Sequence, residues 1–304
     1  MKVLLIILSF ISIAGAAGAA VFSTNSLDKD VFVRALAPTS GYGSAGALSV
    51  SGTNATMNNP TNGAFDSFIS FNAGAMVSNF NAAFGTNNWV ITSATLNVTR
   101  NLAPGNSIFN YGTGAFEIIW IANDTWTNGS GTPMAPGTNG ITYSEEPTYL
   151  NTNTDVNLGT FEFTGGTNMS FGLALPASFV TNMQAGGEVG LFMTAIDPSM
   201  AFVFYSSRFA GSPLVLPTMV ISATAQPGIS AISVSGTNLV LSATNGVTGG
   251  TYYVLTSTNL TTPLSQWTLV QTNVLEASGD FTITVTNAAN AVAPSPQFFI
   301  LQTQ

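Results

Sequence analysis

The stretch ITSATLNVTR, residues 91–100, decides the fold class. Ala94, Leu96 and Val98 fall on one face of an extended segment, and Thr95, Asn97 and Thr99 on the other. That is the pattern of a strand with one face buried. The pattern of short apolar runs cut by Gly, Asn and Pro recurs on both sides. DVFVRAL (30–36), ALSVSG (47–52), DSFISFN (66–72) and GAFEIIWIA (114–122) read as strands. So do GTFEFTG (159–165), MSFGLALP (169–176), EVGLFMTAI (188–196), AFVFYSS (201–207) and PTMVISAT (217–224). In DSFISFN, Phe68 and Phe71 break strict alternation, which predicts a bulge or burial on both faces. Helical periodicity is scarce, and only AGAMVSNFNAAF (73–84) and PASFVTNM (176–183) carry it. About ten strands over about 200 residues predict an all-β, jelly-roll-like two-sheet sandwich.

QPG at 226–228 punctuates the chain, and strand spacing restarts after it. ISAISVSG (229–236), NLVLSAT (238–244), GTYYVLTSTN (250–259), WTLVQTN (267–273), GDFTITVT (279–286) and QFFILQ (297–302) predict a small immunoglobulin/fibronectin-like sandwich. The phrase ALSVSGTN at 47–54 returns as AISVSGTN at 231–238. Two occurrences mark two similar strand-turn units rather than a repeat architecture.

The N-terminus reads as an export leader over residues 1–20. Lys2 is a short positive region, Val3 to Ile13 an apolar run too short to span a bilayer, and Ala14 to Ala20 a small-residue cleavage zone. The expected organisation is therefore a signal peptide at 1–20, a β-sandwich at 21–225 and a second one at 226–304. The expected location is secreted, extracellular or at the cell surface or periplasm, without a membrane span.

Composition removes several functions. The formal charge is −8, with 13 acidic against 5 basic residues. Loss of Lys2 makes the mature chain one unit more negative. No basic patch can neutralise phosphates, so nucleic acid is not an expected partner. The chain has no His, which removes the Ser-His-Asp triad, the Cys-His pair and every His-containing zinc site. It has no Cys either, so burial rather than disulfides must hold the fold together.

Four features of residues 28–222 appear in order: DKDVFVRAL with SGYGSAGALSV; FDSFISFN before SNFNAAFGTNNWVITSATLNV; DTWTNGSG with GITYSEEP; and VFYSSRFAGSPLVLPTMVI. In that order they resemble the bacterial DNRLRE-type domain, a β-sandwich family related to carbohydrate-binding modules. Trp126 matches the family's first tryptophan, Thr142-Tyr143 stands where the family has Thr-Trp, and Ser207-Arg208 matches its Ser-Arg. Tyr143 departs from the tryptophan, and Phe209 stands where the family has Glu. Residues 229–302 resemble a C-terminal module of secreted bacterial proteins, which implies no defined activity.

The loop WTNGSGTPMAPGTNGITYSEEP (126–147) has two readings. In one, Trp126 and Tyr143 pack on the rim of the core and pin the loop. In the other, they form an aromatic platform for a sugar ring, with Glu145 bonding hydroxyls and Arg208 reaching a ligand carboxylate or pairing with an internal acid. Trp126, Tyr143, Glu145 and Arg208 are thus the candidate ligand-binding residues. Asp28, Asp30 and Asp155 are candidate ligands for a structural calcium ion, whose hard oxygen donors they would supply. Glu145 and Glu146 do not serve as an acid/base pair, because neighbours in an extended segment point to opposite faces. Asp124 or Glu117 would be needed as a partner. Trp89, Trp120 and Trp267 are expected in or near cores.

The expected function is non-catalytic binding of extracellular polysaccharide or cell-envelope glycan through the first sandwich. The alternative is a structural or adhesive component of an envelope or matrix, assembled by strand addition at unblunted edges. A His-free glycan-active enzyme is the third reading.

Overall fold

The computed structural model describes residues 20–24, 27–55, 63–86, 88–101, 108–211, 215–246, 249–276, 279–288 and 297–303. The expected leader lies outside them, save for Ala20. In chain order the elements are β1 (Ala20–Thr24), β2 (Leu27–Arg34), β3 (Ala47–Ser51), β4 (Phe65–Asn72), α1 (Gly74–Phe84), β5 (Trp89–Thr99) and β6 (Gly114–Ile121). There follow β7 (Gly131–Thr132), β8 (Ala135–Pro136), α2 (Glu146–Tyr149), β9 (Val156–Phe163), β10 (Asn168–Leu173), α3 (Ala177–Gln184), β11 (Glu188–Ala195), β12 (Ala201–Tyr205) and β13 (Thr218–Ala225). The last strands are β14 (Gly228–Ser235), β15 (Asn238–Gly246), β16 (Thr251–Ser257), β17 (Thr268–Val274), β18 (Gly279–Val285) and β19 (Phe298–Thr303).

The protein is all-β, built from antiparallel sheets in a sandwich-like arrangement. Two compact units emerge, one of Val21–Asn79 with Ser93–Ile221, the other of Phe80–Thr92 with Ser222–Gln304. A seven-stranded sheet has the order β12-β3-β4-β11-β6-β9, with β2 also pairing β4, and a four-stranded sheet runs β1-β13-β5-β10. Both helices expected from periodicity are present as α1 and α3. Asn72 Oδ1 accepts the Gly74 N–H at 2.8 Å at the start of α1, and Gly85 follows its end at φ +86°, the left-handed residue that closes helices.

β4 lies at the centre of the large sheet and is buried on both faces from Phe65 to Phe71. Two-sided burial, not a bulge within β4, thus accounts for its broken alternation. Register assigns the faces. Phe68 lies opposite Val31 of β2 and Phe192 of β11, and Phe192 opposite Ile119 of β6. These residues share one face. On the opposite face Phe116 meets Phe171 of the four-stranded sheet edge-on, with centroids 5.1 Å apart. That contact joins the layers of the sandwich.

The C-terminal strands form two three-stranded sheets, β14-β15-β18 and β17-β16-β19. Their alternating residues Leu239, Leu241, Ile283 and Val285 meet Tyr252, Val254, Phe299 and Leu301 in a single core. Trp89 and Trp120 are buried as expected. Trp267 is half-buried, its Nε1 donating to the Thr262 carbonyl at 2.9 Å.

Candidate functional site

The loop after β6 is a cover laid over the face of the large sheet that carries Val31, Phe68 and Phe192. Trp126 and Ile141 are buried on that face, with Tyr143, Tyr149 and Leu150 packed around them. Trp126 is 0% exposed, its ring centroid 5.6 Å from that of Phe68 and with Lys29 Nζ 4.7 Å from its own centroid. The same ammonium pairs with Glu188 Oε1 at 2.6 Å and donates to the Asp124 carbonyl. A ring buried on both faces offers no surface to a sugar. The platform expectation therefore fails for Trp126, and the packing alternative describes it.

Glycines make the cover possible. The turn of residues 39–46 docks on it through Gly41 N–H to Gly137 O (3.0 Å), the reciprocal bond (2.9 Å) and Ser44 N–H to Gly131 O (2.8 Å). A Cβ at Gly129, which sits at φ +65°, would lie 2.0 Å from the Asn139 carbonyl oxygen. Only hydrogen side chains permit backbones this close.

The two adjacent glutamates diverge, but not because the segment is extended. It is a turn leading into α2. Glu145 is exposed and folds back on its own turn, accepting from Thr142 N–H at 3.1 Å and Thr142 Oγ1 at 3.0 Å. Glu146 turns inward and hydrogen-bonds the carboxyl group of Asp66 in β4. Asp66 is 5% exposed and also takes a hydrogen bond from Thr194 of β11. Register places Met193 opposite Ser67 and Thr194 opposite Glu117, so Asp66, Thr194 and Glu117 form one row across three strands.

Burial pushes the pKa of both partners up, Asp66 to about 6 and Glu146 to about 8. For Glu146 the nearby Asp66 charge adds to the effect. Glu146 Oε2 is buried without a hydrogen-bond partner, and two ionised carboxylates cannot bond one another because both are acceptors. The contact becomes a hydrogen bond when one carries a proton. Burial and then the two acids also raise the Tyr143 hydroxyl. Asp66 is the buried partner of the cover that sequence reasoning missed. Asp124 contributes its carbonyl to Lys29, and Glu117 accepts from Asn157 Nδ2 at 2.6 Å.

The calcium expectation also changes. Asp30 is 2% exposed, and its oxygens accept Ser207 N–H at 2.7 Å and Ser207 Oγ at 2.5 Å. Asp155 accepts Ala122 N–H at 3.0 Å and Asn151 N–H at 2.6 Å, tying both ends of the cover. Asp28 is exposed. Among the described residues no three such side chains are placed to share a metal ion. Among the described residues Asp28, Asp30 and Asp155 are thus not grouped as the calcium expectation requires, and the oxygens of the last two accept backbone and hydroxyl donors.

Arg208 is exposed in the turn after β12. Its N–H donates to Ser206 Oγ at 3.0 Å, and its side chain makes no ion pair among the described residues. The internal pairing expected of it falls instead to Ser207 with Asp30.

A cleft of about 410 Å³ opens elsewhere on the same unit, lined by Arg100, Tyr111, Thr113, Phe163, Gly165 and Ser199. Arg100 follows the end of β5, where its N–H donates to Thr167 O at 2.7 Å. Its guanidinium carbon lies 4.9 Å from the Tyr111 ring centroid and 5.7 Å from that of Phe163. Phe163, 2% exposed, backs the cation. Gly112 N–H and Ala201 N–H exchange bonds at 2.8 Å, and a Cβ at Gly112 would lie 2.2 Å from the Ser199 carbonyl oxygen, so glycine lets this wall close. Burial raises the Tyr111 hydroxyl, and the Arg100 charge lowers it in part. The arrangement offers an aromatic ring, a cation and two hydroxyl groups to one small volume.

No family model matches the chain, and no curated protein matches it. Three solved structures are similar at a TM-score of 0.23. They are a β-D-glucuronidase of Dictyoglomus thermophilum (9% identity, 97% of this chain and 45% of that one), the Macrobrachium rosenbergii nodavirus (10%, 97% and 92%) and a Lactobacillus rhamnosus β-glucuronidase (9%, 97% and 45%). The chain spans about half the length of the two glucuronidases. Likeness at this level carries no argument about function.

Proposed function

We propose that this is an exported, non-catalytic protein that binds extracellular polysaccharide through its first β-sandwich, at the cleft around Arg100. The observation that carries the reading is the cleft itself. Its volume of about 410 Å³ suits one or two sugar rings. Tyr111 supplies a stacking face, and Arg100, Thr113 and Ser199 supply polar groups for hydroxyls. The non-catalytic part rests on carboxyl geometry. Asp66 and Glu146 lie within hydrogen-bond reach, whereas glycoside hydrolysis needs carboxyls about 5–5.5 Å or about 6.5–9.5 Å apart. Asp66 is also shut beneath the cover.

The test is a pull-down on insoluble polysaccharides and a glycan array, with the chain from Val21 onward beside a Tyr111→Ala variant checked for folding. Selective retention lost in the folded variant is expected. No retention on any glycan would overturn the reading.

One observation favours an adhesive or structural role as the second reading. β17 is a sheet edge with Leu269, Val270 and Val274 exposed, an open row for strand addition. Concentration-dependent assembly lost on Val270→Lys, without glycan binding, would move this reading to first place.

A further inference from the structure

Arg100 is a cation without an anion. Its Nη1 donates to the Gly165 carbonyl at 3.1 Å. Its Nε is buried with no hydrogen-bond partner. No carboxylate pairs with it among the described residues, whose ion pair is Lys29 with Glu188. A guanidinium has five N–H donors in a planar fork that matches a carboxylate. Here one donor is used, two aromatic rings hold the plane, and the group lines an open volume. Buried donors left unpaired in a native fold call for a missing partner.

Net charge limits what that partner is. The chain carries −8 with only five basic residues. A polymer charged at every sugar would be repelled along most of its length, and one guanidinium cannot offset that. A single carboxylate on an otherwise neutral glycan avoids the repulsion and takes the fork.

We infer that the Arg100 cleft is selective for a neutral glycan carrying one isolated uronic acid, whose carboxylate pairs with the Arg100 guanidinium while its ring lies against Tyr111. This rests on the reading of the cleft as a glycan site. The Tyr111 phenol is spent on the Asn101 carbonyl at 3.5 Å, so Thr113 and Ser199 are the groups left to bond hydroxyls. Salt weakens the pairing, because Debye screening acts on a partly exposed ion pair.

The experiment compares ligands before it compares variants, so it does not depend on a mutant folding. The probes are a short xylan fragment carrying one uronic acid, the same fragment with that acid reduced to a primary alcohol, polygalacturonate and acetate. Binding to the chain from Val21 onward is followed by amide chemical shifts at Gly112 and Gly165 and by titration calorimetry.

The expected result is binding of the acid fragment at least tenfold tighter than its reduced form, and weaker binding of polygalacturonate per site. Arg100→Gln should erase the acid preference, and Arg100→Lys should restore part of it. Equal binding of the acid and reduced fragments would overturn the carboxylate inference and leave glycan binding standing. Equal affinity for acetate and the fragment, lost in Arg100→Gln, would keep the carboxylate subsite and overturn the glycan reading. No binding of any probe, with the resonances of Gly112 and Gly165 unmoved, would overturn both.

Discussion

The carboxyl groups of Asp66 and Glu146 share a hydrogen bond between the central strand of the large sheet and the short helix of its cover. Eighty positions apart in sequence, they latch the loop of residues 122–155 onto the face that Trp126 fills. Thr194 steadies Asp66 from the neighbouring strand. Glu145 and Tyr143 flank the latch on the cover side, and Glu117 continues the row on the sheet.

Stability should therefore fall as pH rises. Both acids are raised in the fold, Asp66 to about 6 and Glu146 to about 8. A raised acid binds its proton more tightly folded than unfolded. Its contribution is complete below the unfolded value and is lost as pH passes through the folded one. Thermal melts should lose stability on the order of a few kcal/mol between pH 4.5 and 9. Asp66→Asn removes the like charge and keeps a donor for Glu146, so its decline should be shallower. A wild-type stability that climbs over this range would sink the latch.

Trp126→Ala should be among the most damaging single changes. It empties a site that is 0% exposed and strips Lys29 of its ring. Truncation of a buried aromatic of this size costs about 3–5 kcal/mol. Chemical denaturation of the variant checks the figure. A cost below about 1 kcal/mol would mean that the ring is not the anchor of the cover.

Two glycines separate conformation from close approach. Gly129 and Gly165 both have positive φ, at +65° and +91°, but an added Cβ meets the Asn139 carbonyl at 2.0 Å in the first and nothing within 4 Å in the second. Alanine at 165 should cost about 1 kcal/mol, the conformational penalty alone. Alanine at 129 should cost at least about 2 kcal/mol more, because backbone must move. Equal melting temperatures would mean that the backbones at Gly129 and Asn139 within the cover do not approach this closely.

Asp30 should behave as a hydrogen-bonding residue and not as a metal ligand. Asp30→Ala leaves Ser207 N–H and Oγ without their acceptor and should cost about 1–3 kcal/mol. Addition of EDTA to the wild type should leave its melting temperature unchanged. A fall of several degrees in EDTA, restored by calcium, would overturn this assignment.

Much of the architecture was legible locally. ITSATLNVTR and its counterparts alternate as half-buried strands do, and α1 and α3 stand within a residue of their predicted spans. The candidate site was legible only in part. Trp126 and Tyr143 announce a pinned loop, but aromatic identity does not say whether a ring ends in the core or in solvent. The hydrogen bonds of Asp30 run to Ser207, 177 positions away. Three aspartates with calcium-like chemistry were therefore already committed or exposed. α2 and the hairpin of β7 and β8 carry no periodicity long enough to read.

Alternation, turn residues and the absence of His and Cys are properties of neighbouring residues and of composition. They determined an all-β chain without a histidine-based or disulfide-based solution. Strand register decided the rest. It set Asp66 beneath Glu146, closed the cover over Trp126, and left Arg100 between Tyr111 and Phe163 in an open cleft. Such juxtapositions join residues tens of positions apart. They exist only when the whole sheet has settled which residue stands opposite which.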